Sequence, residues 1–317
     1  SSSSAASDVY KRQGANCIKL QTYTADTITI DSKKDDFKIK GTIWEGENYY
    51  SLYQKAYTPW EWHEELFRIA KEEGLICFSS PFDKSAVDFL EDLSVPAYKI
   101  ASFEITDIPL IEYIASKGKP IILSTGIATL EDIELALDAC KKFENNSIAL
   151  LKCTSSYPAP IEEANLSMIL EMKKRFGVIT GLSDHTIGST VPIAATSLGA
   201  RIIEKHFIID RSIGGPDASF SMNEEEFTIM VDEIRNTERA IGGVDYNLTR
   251  NQKEGRKFSR SLYVVKSVSK GEKFTHKNVR SIRPSYGLHP KYLSQVIGRR
   301  AKADIERGTR FSFDLIK

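Results

Sequence analysis

The sequence predicts an α/β protein: a (β/α)8 TIM barrel lacking its first strand, followed by a small β-rich domain. Three observations carry that prediction. Between residues 14 and 241, short apolar runs alternate with helix-length segments, the order that builds a parallel sheet covered by helices. Each apolar run ends in polar residues, and a barrel keeps its site at the carboxyl ends of its strands. From residue 258 onward the helical spacing gives way to short β-type runs broken by glycines. A doubly wound sheet is the rival architecture, but no run is followed by a Gly-rich dinucleotide turn.

Residues 1–13 do not read as part of the fold. A serine run precedes Asp8-Val9-Tyr10-Lys11-Arg12-Gln13, which resembles a translated sequencing adapter, so the stretch is expected to be a non-native leader. A genuine disordered leader is the alternative. The barrel domain is then 14–245, with strands expected at 17–22, 75–79, 97–100, 120–124, 148–152, 178–182 and 202–206. That makes seven, and an eighth would precede Gly14. Thr58-Pro59-Trp60-Glu61 reads as a capping box opening a helix that Gly74 ends. Thr129-Leu130-Glu131-Asp132 opens another with an acidic first turn, 190–199 is of helix length, and Asn223-Glu224-Glu225-Glu226 opens a long one closed by Gly242-Gly243. The loop 23–57 is long and lies on the active face, where such loops are usually functional. It carries Trp44, and its stripe Tyr49, Tyr50, Tyr53 and Tyr57 fits a short helix packing on the barrel. A polar linker is expected at 246–257. The small domain follows at 258–317, with strands at 262–265 and 278–282 and turns at Gly271, Gly287, Gly298 and Gly308.

At 317 residues the chain has room for one large and one small domain, and no apolar run is long enough to span a membrane. Four scattered cysteines without a CxxC pair suggest reduced core thiols and a cytoplasmic protein. The whole is neutral, yet from Phe258 onward there are 14 Lys/Arg against 4 Asp/Glu, with 29 against 39 in the rest. Basic residues without interleaved aromatics favour docking on an acidic body, or holding an anionic substrate, over nucleic-acid binding.

Two histidines stand at neighbouring strand ends, His185 in Gly181-Leu182-Ser183-Asp184-His185-Thr186 and His206 in Glu204-Lys205-His206-Phe207. Alone, each reads as a polar loop residue or a satisfied core histidine. Their matched placement favours two imidazoles aimed at one metal. The other strand ends offer Lys19 and Gln21 on one face, Ser80, then Lys99, Ser102 and Glu104, then Ser124-Thr125-Gly126, then Ser155 and Tyr157, with Asp217 after the last strand. Two lysines among hydroxyls suit a phosphate-bearing anion. They equally suit a structural ion network with Glu104 and Glu204, and both readings stay open.

The runs Ile18-Lys19-Leu20-Gln21-Thr22, Phe78-Ser79-Ser80-Pro81-Phe82, Tyr98-Lys99-Ile100-Ala101-Ser102-Phe103-Glu104, Ile121-Ile122-Leu123-Ser124-Thr125-Gly126 and the two histidine motifs together resemble the sialic acid synthase family. The tail, with Lys270-Gly271-Glu272 and Asn278-Val279-Arg280-Ser281-Ile282-Arg283-Pro284, resembles that family's antifreeze-like (SAF, β-clip) domain. Tyr57-Thr58-Pro59-Trp60-Glu61-Trp62-His63 and the run from Arg283 to Pro290 look most like the branch that makes pseudaminic acid. The resemblance implies a carbohydrate-biosynthetic transferase that condenses phosphoenolpyruvate with an open-chain amino sugar. By the same resemblance His185 and His206 would hold a divalent metal, usually Mn2+. Lys19, Lys99, Ser80, Ser102 and Ser183 would hold phosphoenolpyruvate, and Glu104 would move a proton or position water. Gln21, Ser155, Tyr157 and Asp217 would face the sugar. Arg283 would reach a sugar in the other subunit of a domain-swapped homodimer.

Ser155 stands where relatives often have Asn, and Ser285 where Gly is frequent, which suggests a different sugar; N-acetylneuraminate and legionaminate synthesis are the close alternatives. The family's first-strand motif, with an acidic residue and an Asn-His-Asn-Gly-like loop, is missing, so the chain as written is expected to be poorly stable or inactive. A non-catalytic carbohydrate- or anion-binding remnant is the rival of another class.

Overall fold

The computed structural model describes residues 13–317; the leader expectation, Gln13 apart, lies outside the described residues. The chain divides into two compact units, 1–242 and 243–317.

The first unit is built on seven parallel strands: β1 (Cys17–Thr22), β2 (Ile76–Pro81), β3 (Tyr98–Ile100), β4 (Ile121–Ser124), β5 (Ile148–Cys153), β6 (Ile179–Asp184) and β7 (Ile203–Lys205). Their order in the sheet is their order in the chain. A doubly wound sheet needs a reversal of strand order, and there is none here. Among the described residues β1 pairs only with β2, and β7 only with β6. Residues of both line one cleft of about 480 Å³, whose far wall is Phe227, Met230, Val231 and Ile234. The sheet therefore curls until its two outer strands face a common space, the geometry of an open barrel.

Strand centres fall where the apolar runs predict, but the carboxyl ends differ. The β2 ladder continues through Ser80 to Pro81, paired with Gln21 and Thr22, and β6 continues to Asp184, paired with Lys205. Backbone pairing follows the neighbouring strand and not side-chain polarity, so Ser80 and Ser183 sit inside strands. Leu90, Tyr98, Ile100, Ile111, Ile114, Ile121, Leu123 and Leu150 are fully buried between sheet and helices.

The helix starts at Thr129 and Asn223 form the reciprocal caps their sequences imply, before Leu130–Lys141 and Glu224–Ile241. The box expected at Thr58 does not form. A 3-10 turn, Trp60–Trp62, precedes the helix His63–Glu72, and neither start has a side-chain cap. Aromatic packing takes over there: the Trp60 indole donates to the Tyr23 carbonyl at 3.2 Å and stacks on Phe89 at 4.7 Å. The tyrosine stripe does form a short helix, Tyr49–Ala56, with Tyr53 edge-on to Tyr23.

In the second unit, the polar stretch expected as linker contains a capped turn of helix, Arg250–Gly255. Strands β8 (Ser261–Val264) and β9 (Val279–Ile282) pair antiparallel. They enclose Leu262, Val264, Phe274, Val279, Val296 and Phe311. Gly287 is required by close approach, since a Cβ there would lie 2.2 Å from the Leu262 carbonyl oxygen.

Candidate active site

The carboxyl ends of the strands bring most of the expected residues to one rim. Glu204 on β7 is the hub. Its Oε1 lies 2.6 Å from Lys19 Nζ on β1 and 3.9 Å from Lys99 Nζ on β3, and accepts from the Ser183 hydroxyl on β6 at 3.2 Å. Burial would raise the Glu204 carboxyl, but Lys19 and Lys99 overcome it and hold the group well below the usual carboxylate range. Lys99 is 1 % exposed and also donates to Ser124 Oγ at 2.7 Å and to the Ile100 carbonyl at 3.1 Å. Burial lowers its ammonium to about 8, with Glu204 opposing. The ion network that was one reading of the lysines thus forms on Glu204, while no ion pair to Glu104 is found among the described residues.

Glu104 follows β3 and is pushed up to about 7 by burial, against the pull of Lys99. Its Oε2 and the Ser80 hydroxyl are buried without a hydrogen-bond partner. Unsatisfied buried oxygens at strand ends are what a site awaiting a polar ligand leaves behind. Gly126 makes room for two further hydroxyls: a Cβ there would fall 2.1 Å from Ser155 Oγ and 2.7 Å from Ser102 Oγ.

The two imidazoles stand 5.2 Å apart between ring centroids. His185 Nδ1 lies 2.9 Å from the Thr154 carbonyl, and His206 Nδ1 lies 3.3 Å from Asp217 Oδ2. A neutral imidazole that donates through Nδ1 keeps an unshared pair at Nε2, the form that binds metal. Burial lowers the His206 pKa against the pull of Asp217, which keeps the ring neutral near pH 7. No group of three or more His, Cys, Asp or Glu able to hold a metal is found among the described residues. A metal would thus have two protein nitrogens and otherwise water or substrate oxygens, a set that suits a hard divalent ion that keeps its waters.

Beneath the histidines lies an ion pair. Lys205 Nζ is 2.6 Å from Asp184 Oδ2, and the side chains are 1 % and 2 % exposed. Lys205 also donates to the Thr186 carbonyl, and Asp184 accepts from the Thr186 N–H and hydroxyl, each at 3.0 Å. These bonds tie the ends of β6 and β7 together next to the two rings.

An aromatic wall covers the histidines. The Tyr157 ring is 4.4 Å from His185, 5.3 Å from Phe220 and 5.6 Å from Trp44. Gln21 lines the cleft beside Lys19. Arg283 belongs to the second unit, just after β9.

Sequence reading missed Cys153, taken there for a core thiol. Its Sγ lies 3.8 Å from His185 Nδ1. Burial would raise the thiol, but His185 and the neighbouring Ser102 and Ser183 bring it down to about 7. Its position as the last residue of β5 was the available signal. Cys17 also departs from the core-thiol expectation, since it is exposed.

The NeuB family model matches residues 8–246, and the SAF domain model matches 259–317. A pseudaminic acid synthase of Helicobacter pylori is 48% identical over 308 residues, covering 97% of this chain and 91% of the relative. One of Campylobacter jejuni is 47% identical over 298 residues, covering 94% and 87%. An N,N'-diacetyllegionaminic acid synthase of Legionella pneumophila is 33% identical over 312 residues, covering 97% and 88%. Among solved structures, the N-acetylneuraminic acid synthetase of Leptospira borgpetersenii is similar with a TM-score of 0.69 and 30% identity over 80% of this chain and 84% of that one.

Proposed function

The chain belongs to the NeuB family, and from that premise we propose that it makes pseudaminic acid, condensing phosphoenolpyruvate with 2,4-diacetamido-2,4,6-trideoxy-altrose and water and releasing phosphate. The observation that carries the chemistry is the rim itself, where two lysines on one carboxylate stand beside two imidazoles whose Nδ1 atoms face the Thr154 carbonyl and Asp217. The sugar rests on identity of 47% and 48% to pseudaminic acid synthases, against 33% and 36% to the legionaminic enzymes.

Lys19 and Lys99 supply the charge for the phosphoenolpyruvate anion, with Ser80, Ser102 and Ser183 as hydroxyl partners. When the anion arrives, the lysines trade part of their contact with Glu204 for it. Gln21, Ser155, Tyr157 and Asp217 orient the open-chain sugar so that its aldehyde meets the enol carbon. A divalent metal, Mn2+ by the family resemblance, would sit on His185 and His206 and polarise the aldehyde oxygen. The new carbon–carbon bond turns the aldehyde oxygen into an alkoxide that takes up a proton, and leaves a cation at the former enol phosphate carbon; water adds there with loss of a proton, and the carbon–oxygen bond to phosphate breaks as the remaining hydroxyl gives up its proton and becomes the ketone. Glu104, with a carboxyl near 7, is poised to take the proton of that water.

By the same resemblance the enzyme works as a domain-swapped homodimer, in which Arg283 serves the sugar of the other subunit. No helix among the described residues is long and apolar enough to cross a membrane, which is compatible with a cytoplasmic enzyme.

The test is phosphate release from phosphoenolpyruvate with Mn2+, offering the altrose sugar and N-acetylmannosamine separately. Release with the altrose sugar alone is expected. Release with N-acetylmannosamine alone would overturn the sugar assignment, and unchanged Mn2+ affinity in both His185→Ala and His206→Ala would favour a binding-only protein.

A further inference from the structure

Asp217 stands against His206, and on its C-terminal side its carbonyl accepts from the Ser221 N–H at 3.2 Å and the Ser221 hydroxyl at 2.7 Å. Gly214 and Gly215 come just before it with φ of +75° and +116°, and neither would meet anything within 4 Å if it carried a Cβ. The Gly-Gly pair leaves the N-terminal side of Asp217 free to pivot beyond what the Gly214 N–H to Arg211 carbonyl bond at 3.1 Å fixes. A further hold there comes from a residue 172 positions away: the Trp44 indole Nε1–H donates to the Pro216 carbonyl at 2.9 Å. Trp44 sits between anchors in the long loop after β1, where Ile39 N–H donates to the Glu47 carbonyl at 2.9 Å and Lys38 bridges Asn48. Its ring also lies beside Tyr157, which covers His185.

We propose that Trp44 is a positioning residue: its indole N–H latches the 214–217 segment across the mouth of the barrel and so holds Asp217 against His206. The role in catalysis rests on the reading that His206 and Asp217 serve the sugar site. The latch itself does not.

The segment between Phe207 and Met222 holds one trypsin site, Arg211, so the latch can be read without any substrate. Trp44→Phe keeps an aromatic ring beside Tyr157 but removes the donor. Trp44→Ala removes both, and Phe keeps the question open to test should Ala fail to fold. In both variants, native-state cleavage after Arg211 is expected to quicken about 3- to 10-fold, the opening equilibrium that one lost hydrogen bond shifts. In the assay the sugar KM rises by a similar factor while kcat and the phosphoenolpyruvate KM hold. Unchanged cleavage in both variants overturns the latch. Faster cleavage with an unchanged sugar KM, or a fall in kcat alone, overturns the positioning of Asp217. If the wild-type protein turns over no sugar at all, the functional reading fails, and the cleavage rates still decide the latch.

Discussion

Replacing Lys205 by methionine tests how the two histidine-bearing strands are held. The substitution keeps the length and apolar stem of the side chain and deletes the ammonium, leaving Asp184 buried with only the Thr186 N–H and hydroxyl to satisfy it. The pair is made at 2.6 Å between side chains that are 1 % and 2 % exposed, so solvent does little to replace the lost partner. Removing one member of such a pair costs about 3–5 kcal/mol. For a unit of this size that corresponds to a melting temperature lower by about 6–20 °C. The Asp184→Asn/Lys205→Met double variant leaves no uncompensated charge and is expected to recover more than half of the loss. Differential scanning calorimetry of the metal-free proteins measures both. A single variant melting within about 2 °C of the parent, or a double variant no better than the single, would refute the argument that an orphaned buried charge sets the cost.

Three further outcomes follow from the site. With the Glu104 carboxyl near 7 and the Lys99 ammonium near 8, kcat/KM for phosphoenolpyruvate should rise as pH passes through about 7, where Glu104 becomes a base, and fall above about 8, where Lys99 loses its charge. Glu104→Gln removes the lower limb; a flat profile from pH 6 to 9 in the parent, about a unit beyond each limb, excludes these two groups. His185→Ala and His206→Ala should each weaken Mn2+ binding at least about 10-fold by direct titration. Arg283→Ala should raise the sugar KM about 10-fold and leave the phosphoenolpyruvate KM alone, as loss of a charged hydrogen bond to the sugar would; equal effects on both argue against a sugar-facing role.

What the sequence made legible, and what it hid, follows from range. The seven strands were visible because buried parallel strands are continuous apolar runs, and the caps at Thr129 and Asn223 because they involve residues three apart. His185, His206, Lys19 and Lys99 were legible by type and position at strand ends. Their partners were not. That both lysines choose Glu204 over Glu104 depends on the curl that brings β1 and β3 to face β7, and no local pattern carries it. Thr58 failed as a cap because Trp60 is held by Tyr23 and Phe89, contacts 37 and 29 residues distant. Trp44 lay in an irregular loop, where no periodicity tells a packing indole from one that reaches across the barrel mouth.

The cleft between β1 and β7 also bears on how the protein behaves in solution. Each wall of that slit has a row of backbone donors and acceptors unmatched by a strand among the described residues, with apolar side chains of the helix Glu224–Ile241 behind it. Open rows of this kind are templates on which a second molecule can build a ladder. Formal net charge is zero, so no net repulsion keeps copies apart. A short alternating peptide that fills the slit is therefore expected to suppress clouding of concentrated samples.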